Sequence, residues 1–255
     1  MTDSKETGGE LAVVVGATGD FGQAIVARLR AEGLRVIAVA RSAASLAALA
    51  GGDPDIVPCE ADIACDAAVE RIAAALDRPV RIVVHGPGVA VAGGILEAPV
   101  GSLVEAVNIK VGGMLRLVRA VDARLAADAR LVAIGGHYGL EPTAYAAAAG
   151  GANAALINLM RQLGLAYGAR GITAHTIAPG PADTARLHRV AANRAALRGI
   201  GVEAVLDEMK AESSIGAFVT PQQVAWAVAL LLAPEADAMT GSTLMLDAGR
   251  RRGLP

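Results

Sequence analysis

Residues 135–156 read GGHYGLEPTAYAAAAGGANAAL and bring together several side chains that can move a proton. Two of the three tyrosines, Tyr138 and Tyr145, stand in this stretch, and His137 directly precedes the first. A phenol or imidazole acts as proton donor or acceptor once its surroundings tune its pKa. The residues around them are mostly Gly and Ala, which leave space beside these groups. Tyr145 precedes Ala149 by one helical turn, so on a continuous helix it would share that face, about 6 Å away. The competing reading of Tyr145 is a packing residue at a helix start. His85 ends one apolar run, and His175 lies inside another, where a satisfied core group is the plain reading. His188 falls in an arginine-rich segment and reads as solvated. No grouping of His, Cys, Asp or Glu has metal-ligand spacing. Cys59 and Cys65 lack CxxC spacing and read as reduced structural cysteines.

A second chemical signal lies earlier. The run LAVVV (11–15) passes into GATGDFG, with Gly16, Gly19 and Gly22 in GxxGxxG spacing and Thr18, Asp20 and Phe21 between them. Glycines there let backbone amides approach a pyrophosphate, and a following helix adds partial positive charge at its N-terminus. The next apolar run, RVIAVA (35–40), ends in Arg41 and Ser42. A ribose with a free 2′-hydroxyl is usually met there by Asp or Glu, whereas Arg suits a 2′-phosphate. NADP(H) is therefore favoured over NAD(H), against a plain surface charge at Arg41.

Both signals sit at the ends of apolar runs that alternate with helical segments. Strands are predicted at 11–15, 35–40, 55–58, 80–84, 130–134, 171–177 and 242–246. Helices are predicted near 21–32, 43–50, 66–76, 100–127, 144–168 and 221–233. This alternation implies an α/β fold, a doubly wound parallel sheet with helices on both faces. Residues 1–10 read as a flexible arm and 11–255 as a single dinucleotide-binding domain, with a helical substrate flap near 183–215. With 255 residues, 54% of them hydrophobic, the chain can bury a large core. A net charge of −2 argues against nucleic acid as a partner, and Arg250–Arg252 reads as a solvated basic tail. The polar start lacks a signal-peptide core, and the longest apolar run is about half a membrane span. A soluble cytoplasmic protein acting on a small molecule is expected.

In motif order the chain resembles the short-chain dehydrogenase/reductase family over nearly its whole length. GATGDFG resembles the family's nucleotide loop, although Val15 replaces a frequent Thr and Asp20 falls where short members usually have Gly. Asp62 and Ile63 in ADI match the motif that brackets the adenine. Asn108 in EAVNIK matches the asparagine that orders an active-site water. IAPGPADT, with Pro179, Gly180, Ala182 and Thr184, matches the stretch that wraps the nicotinamide, and MTGSTLMLDAG matches the last strand. The resemblance implies a Rossmann-type seven-stranded sheet and a homo-oligomer, tetramer or dimer. The small, apolar surface of AYAAAAGGANAALINLM agrees with that.

The resemblance also implies hydride transfer assisted by a Ser, a Tyr and a Lys, and here the chain departs. Counted without gaps from both ends, those positions fall on Gly136, Ala149 and Asn153. The family's NNAG becomes His85, Gly86, Pro87 and Gly88; His85, Gly86, Pro87 and Asn153 remain candidates for contact with the cofactor. Asn108 alone survives of the usual catalytic four, and Tyr145, His137 or Tyr138 are the candidates to replace the acid. Three functions compete. One is an NADP(H)-dependent reductase of a carbonyl, iminium or conjugated alkene; another is a non-redox cyclase, isomerase or lyase; the third is a catalytically silent binding subunit.

Overall fold

A computed structural model describes residues 9–89 and 93–251. Most of the expected arm at 1–10, and Arg252, lie outside the described residues. The strands are β1 (Leu11–Val15), β2 (Arg35–Ala40), β3 (Ile56–Glu60), β4 (Val80–His85), β5 (Leu125–Ile134), β6 (Thr173–Pro179) and β7 (Thr243–Leu246). They form one parallel sheet in the order β3-β2-β1-β4-β5-β6-β7. Every residue of β1 is buried, as a central strand covered on both faces requires, and its Val-rich sequence meets that need.

One face is covered by α1 (Asp20–Ala31), α2 (Ala43–Ala50) and α9 (Pro221–Leu230). The other is covered by α3 (Ala67–Ala74), α5 (Gly113–Val121) and α6 (Ala147–Tyr167). The strand order reverses between β1 and β4, and a crevice opens there beyond the carboxyl ends of the strands. No helix of the described residues is long and apolar enough to cross a membrane.

Two segments differ from their predicted form, and the segment 183–215 takes a definite one. The helix expected over 100–127 is α4 (Val100–Val107), a π-helical turn over Asn108–Gly112, and α5. The chain then enters β5 at Leu125, five residues before the predicted start, because Val80 pairs with Leu125 and Ile82 with Arg130 across an irregularity. An apolar Leu-Ala-Ala run fits either period, and pairing decided it. Next, α6 begins at Ala147, so Tyr145 lies in the turn before the helix rather than on its face. Lastly, α7 (Ala185–Arg198) and α8 (Val202–Ala211) occupy 185–211 and pack on each other through Leu187, Ala191, Ala195, Val205, Leu206 and Met209. Thr184 caps α7 through a bond from Leu187 N at 3.3 Å.

Candidate functional site

The nucleotide-facing half of the crevice is built from backbone. Gly16 has φ +80°, and a Cβ on Gly22 would lie 2.1 Å from the Gly16 carbonyl oxygen. Only glycine at 22 lets α1 start this close to the turn. The N-cap Gly19 supplies no side-chain oxygen, so the first N–H groups of α1 stay free for an anion. Gly16 in turn abuts Gly86 and Pro87, which brings the ends of β1 and β4 into contact.

Around this turn runs a cavity of about 580 Å³. Its wall includes Gly16, Thr18, Gly19, Asp20, Phe21, Gly22, Arg41, Asp62 and Ile63 at one end. Gly86, Pro87, Pro179, Gly180, Ala182 and Thr184 line its middle, and Gly136, His137, Tyr138, Tyr145, Ala149 and Asn153 the other end. The glycine spacing, the residues at strand ends and the family resemblance had together singled out all of these. Ser42, expected beside Arg41, is not in the wall: its hydroxyl accepts from Ser45 N at 3.2 Å and caps α2.

At the far end, a short 3-10 turn over His137–Gly139 lies down on α6. A Cβ on Gly139 would meet the Asn153 carbonyl carbon at 2.9 Å, so glycine permits that approach. Tyr138 and Tyr145 meet edge to face, ring centres 5.6 Å apart, and their hydroxyls are hydrogen-bonded. Burial, then the bond to Tyr145, pushes Tyr138 up to about 12. Burial works against ionisation of Tyr145 as well, but the bond from Tyr138 and the guanidiniums of Arg250 and Arg194 outweigh it and lower its pKa. Arg194, from α7, stacks over the Tyr145 ring at 5.4 Å. Either hydroxyl can donate in this bond, and Tyr145, whose pKa is lowered, is the phenol more prepared to ionise.

Arg250 reaches this place because residues 247–251 fold back, so that Arg250 and Arg251 do not form a solvated basic tail. Asp247 accepts from Gly249 N at 3.0 Å and Arg251 N at 2.9 Å, with Ala248 and Gly249 at φ 57° and 74° folding the chain back. Arg250 then pairs with Glu212, and Arg251 with Glu141.

His137 is a poorer proton donor at neutral pH than its position suggested, because it does not hold the extra proton there. Burial, then the charge of Arg250, pushes it down to about 4, while the Pro179 carbonyl opposes the shift. It stays neutral at pH 7, with Nε2 buried and without a partner among the described residues. His85 is not at the cleft wall at all. It lies fully buried beneath it, Nε2 donating to the Ile109 carbonyl at 3.0 Å, and burial holds it down to about 3. Asn108 is likewise turned away: Nδ2 donates to Ala64 O at 3.1 Å and Oδ1 accepts from Arg116 at 2.9 Å. Asn108 stands at the start of the π-helical turn, which rotates its residues out of α-helical register. The same turn delivers Lys110 into the wall, a residue that its sequence surroundings did not single out. Arg186, Arg194 and Met209 of the flap line the cavity as well. His175 is a core group bonded to Thr173 Oγ1 at 2.8 Å, and His188 is exposed beside Asp183. The described residues hold no cluster of three or more metal-binding side chains.

A sequence family described as enoyl-(acyl carrier protein) reductase matches residues 16–251. The chain is 30% identical to the short-chain dehydrogenase/reductase eriH of Hericium erinaceus, over 94% of this chain and 97% of that one. It is 29% identical to the short-chain reductase NovJ of Streptomyces niveus, over 94% and 93%. Among solved structures it is similar to actinorhodin polyketide ketoreductase, a variant with NADPH, at 26% identity and a TM-score of 0.85, over 95% and 97% of the two chains. With this sheet order, this glycine turn and these matches, the chain belongs to the short-chain dehydrogenase/reductase family. Its proteins are oxidoreductases, and this chain is one of them.

Proposed function

We propose that this protein is an NADP(H)-dependent reductase whose proton donor has moved from α6 to Tyr145. The observation that carries this reading is the phenol pair Tyr138–Tyr145, flanked by Arg194 and Arg250, in the wall that also holds the glycine turn. A phenol whose ionised form is stabilised by a hydrogen-bond donor and two cations is how a tyrosine becomes a usable acid. The usual Ser, Tyr and Lys are read as Gly136, Ala149 and Asn153, and these positions are packed as a set. A Cβ on Gly136 would stand 2.8 Å from Asn153 Nδ2, so a larger residue at 136 requires a different arrangement at 153.

The residues present fit a dinucleotide: a helix start with free N–H groups, a glycine turn that a Cβ would close, and the exposed Arg41 at the end of β2, whose fork suits a 2′-phosphate over a plain hydroxyl. Arg41, Asp62 and Ile63 would hold the adenosine end, and Pro179, Gly180, Ala182 and Thr184 the nicotinamide. When bound, the nicotinamide supplies a hydride. Tyr145 gives its proton to the oxygen, or the equivalent carbon or nitrogen, that gains charge as the substrate is reduced. The resulting phenolate is held by Tyr138 O–H, Arg194 and Arg250, and it recovers a proton from water, since Tyr145 is 40% exposed. The substrate is a small molecule with a carbonyl, iminium or conjugated alkene, and the NADPH-bound ketoreductase with the same fold supports a carbonyl first. The enlarged space at Ala149 keeps a non-redox reaction as the second reading. We further infer a soluble cytoplasmic homo-oligomer, tetramer or dimer, supported by exposed Val104 on α4 and Leu165 on α6.

Titration with NADPH and NADH, followed by a panel of ketones and enones, tests the reading. Tyr145→Phe should lower kcat by roughly a hundredfold or more with the NADPH Kd unchanged. Arg194→Gln should move the alkaline limb of the rate profile to higher pH, because it raises the pKa of the proton donor. Unchanged turnover in Tyr145→Phe would remove the assignment, and failure to bind either nucleotide would remove the reductase.

A further inference from the structure

We propose that Lys110 is the cation that holds the ribose on the nicotinamide side of the bound dinucleotide, entering the cleft from the π-helical turn that packs beside α6. The proposal rests on the reading of the cleft as an NADP(H) site and names a contact that reading leaves open. A dinucleotide ribose offers two adjacent hydroxyls, and the position on α6 from which a lysine would reach them carries Asn153.

Lys110 is 4% exposed, yet it lines the cavity. Its Nζ donates to the carbonyl oxygen of Ile134, the last residue of β5, at 2.7 Å. Ile134 lies two residues before Gly136, against which Asn153 packs, so Lys110 and Asn153 both lie at the end of β5. An ammonium group has three donors, and only one is used by the described residues. No carboxylate among them pairs with it; its nearest charged influence is the like charge of Arg186. A buried cation without a counter-ion is costly and is rarely kept without a partner. Acceptor oxygens of a ligand, with the charge of a nearby diphosphate, would meet that need.

The lysine is also held in place by dedicated packing. The π-helical turn brings it inward, and His85 Nε2 donates to the carbonyl of Ile109, the residue before it, at 3.0 Å. Gly113 makes room for that histidine: a Cβ there would stand 2.7 Å from His85 Cε1. Asn108, two residues ahead, is tied to Ala64 and Arg116. Burial, then Arg186, lowers Lys110 to about 8, so it remains mostly charged at pH 7.

Two probes separate a ribose contact from a merely structural lysine: NADPH, and 2′,5′-ADP, which lacks the nicotinamide riboside. Lys110→Gln keeps a donor for Ile134 O, and Lys110→Met removes it. Both should weaken NADPH binding by roughly tenfold or more, with the 2′,5′-ADP Kd within twofold of the parent. Equal losses on both probes, or an unchanged NADPH Kd, would overturn the proposal. The unmutated protein supplies a readout that does not depend on the variants folding. Amine acylation followed by mass spectrometry should show NADPH protecting Lys110 while 2′,5′-ADP does not, with Lys210 modified equally in both. Protection by neither probe, or by both alike, would refute the contact. If the unmutated protein binds neither probe, the cofactor reading itself falls, which is a different result from a failed Lys110.

Discussion

The two ends of the cleft are built on opposite principles. At the nucleotide end the working groups are backbone amides, and the side chains matter mostly by being absent, as at Gly16, Gly19 and Gly22. At the reaction end the working groups are side chains drawn from four separate elements. His137 and Tyr138 come from the turn after β5, Tyr145 from the loop before α6, Arg194 from α7, and Lys110 from the π-helical turn. A backbone site depends on one local geometry and fails as a unit. A site of converging side chains can exchange one proton donor for another while the scaffold stays.

The sharpest way to break the comparison is one added side chain at the nucleotide end. Gly22→Val places a Cβ 2.1 Å from Gly16 O and 2.7 Å from the Ala17 backbone, so α1 must move away from the turn. Overpacking of this kind typically costs about 1–3 kcal/mol and occasionally more. We expect NADPH binding by calorimetry to be lost altogether, with a lowered Tm. A variant that binds NADPH normally would show that the turn is not the phosphate cradle.

Arg41→Ala tests the one charged side chain at the end of β2, and its effect should be smaller. Arg41 is exposed and no hydrogen bond holds it among the described residues, so its removal leaves the fold intact. A charge-assisted pair is worth about 1.5–3 kcal/mol, or roughly 10–100-fold in NADPH Kd. The NADH Kd should hardly change, and equal losses for the two nucleotides would show that Arg41 does not read the 2′-phosphate.

The same division explains what the sequence made legible. Glycine spacing, a strand end in Arg and the run IAPGPADT are local patterns, and the residues they marked line one cavity. The parallel sheet followed from strand–helix alternation. What could not be read was anything set by a shift in register. The π-helical turn shows no sequence signature in EAVNIKVGG, yet it turns Asn108 outward and Lys110 inward. Tyr145 was placed on a helix that starts two residues after it, and its neighbours Arg194 and Arg250 are far away in sequence. Gly139 and Gly113 were the faint signals: the first lets the His137–Gly139 turn lie on α6, and the second makes room for His85 beneath the cleft.

The smallest effect separates the two ends by their response to acid. His137 at the reaction end and His85 beneath Lys110 are buried neutral, held down to about 4 and about 3, and His175 in β6 to about 4. In the unfolded chain each takes up its proton near pH 6.5. Between pH 6.5 and the folded-state values, the unfolded state therefore binds more protons, and stability is lost as pH falls. The contribution is complete above pH 6.5 and declines below it by up to about 1.4 kcal/mol per pH unit for each histidine. The nucleotide turn contains no such group. Tm measured from pH 7.5 to 5 should fall with decreasing pH, and His137→Gln should flatten the slope by the share of one group. An equal slope in that variant would mean that His137 takes up its proton in the folded protein, and the reaction end would then be wetter than its burial implies.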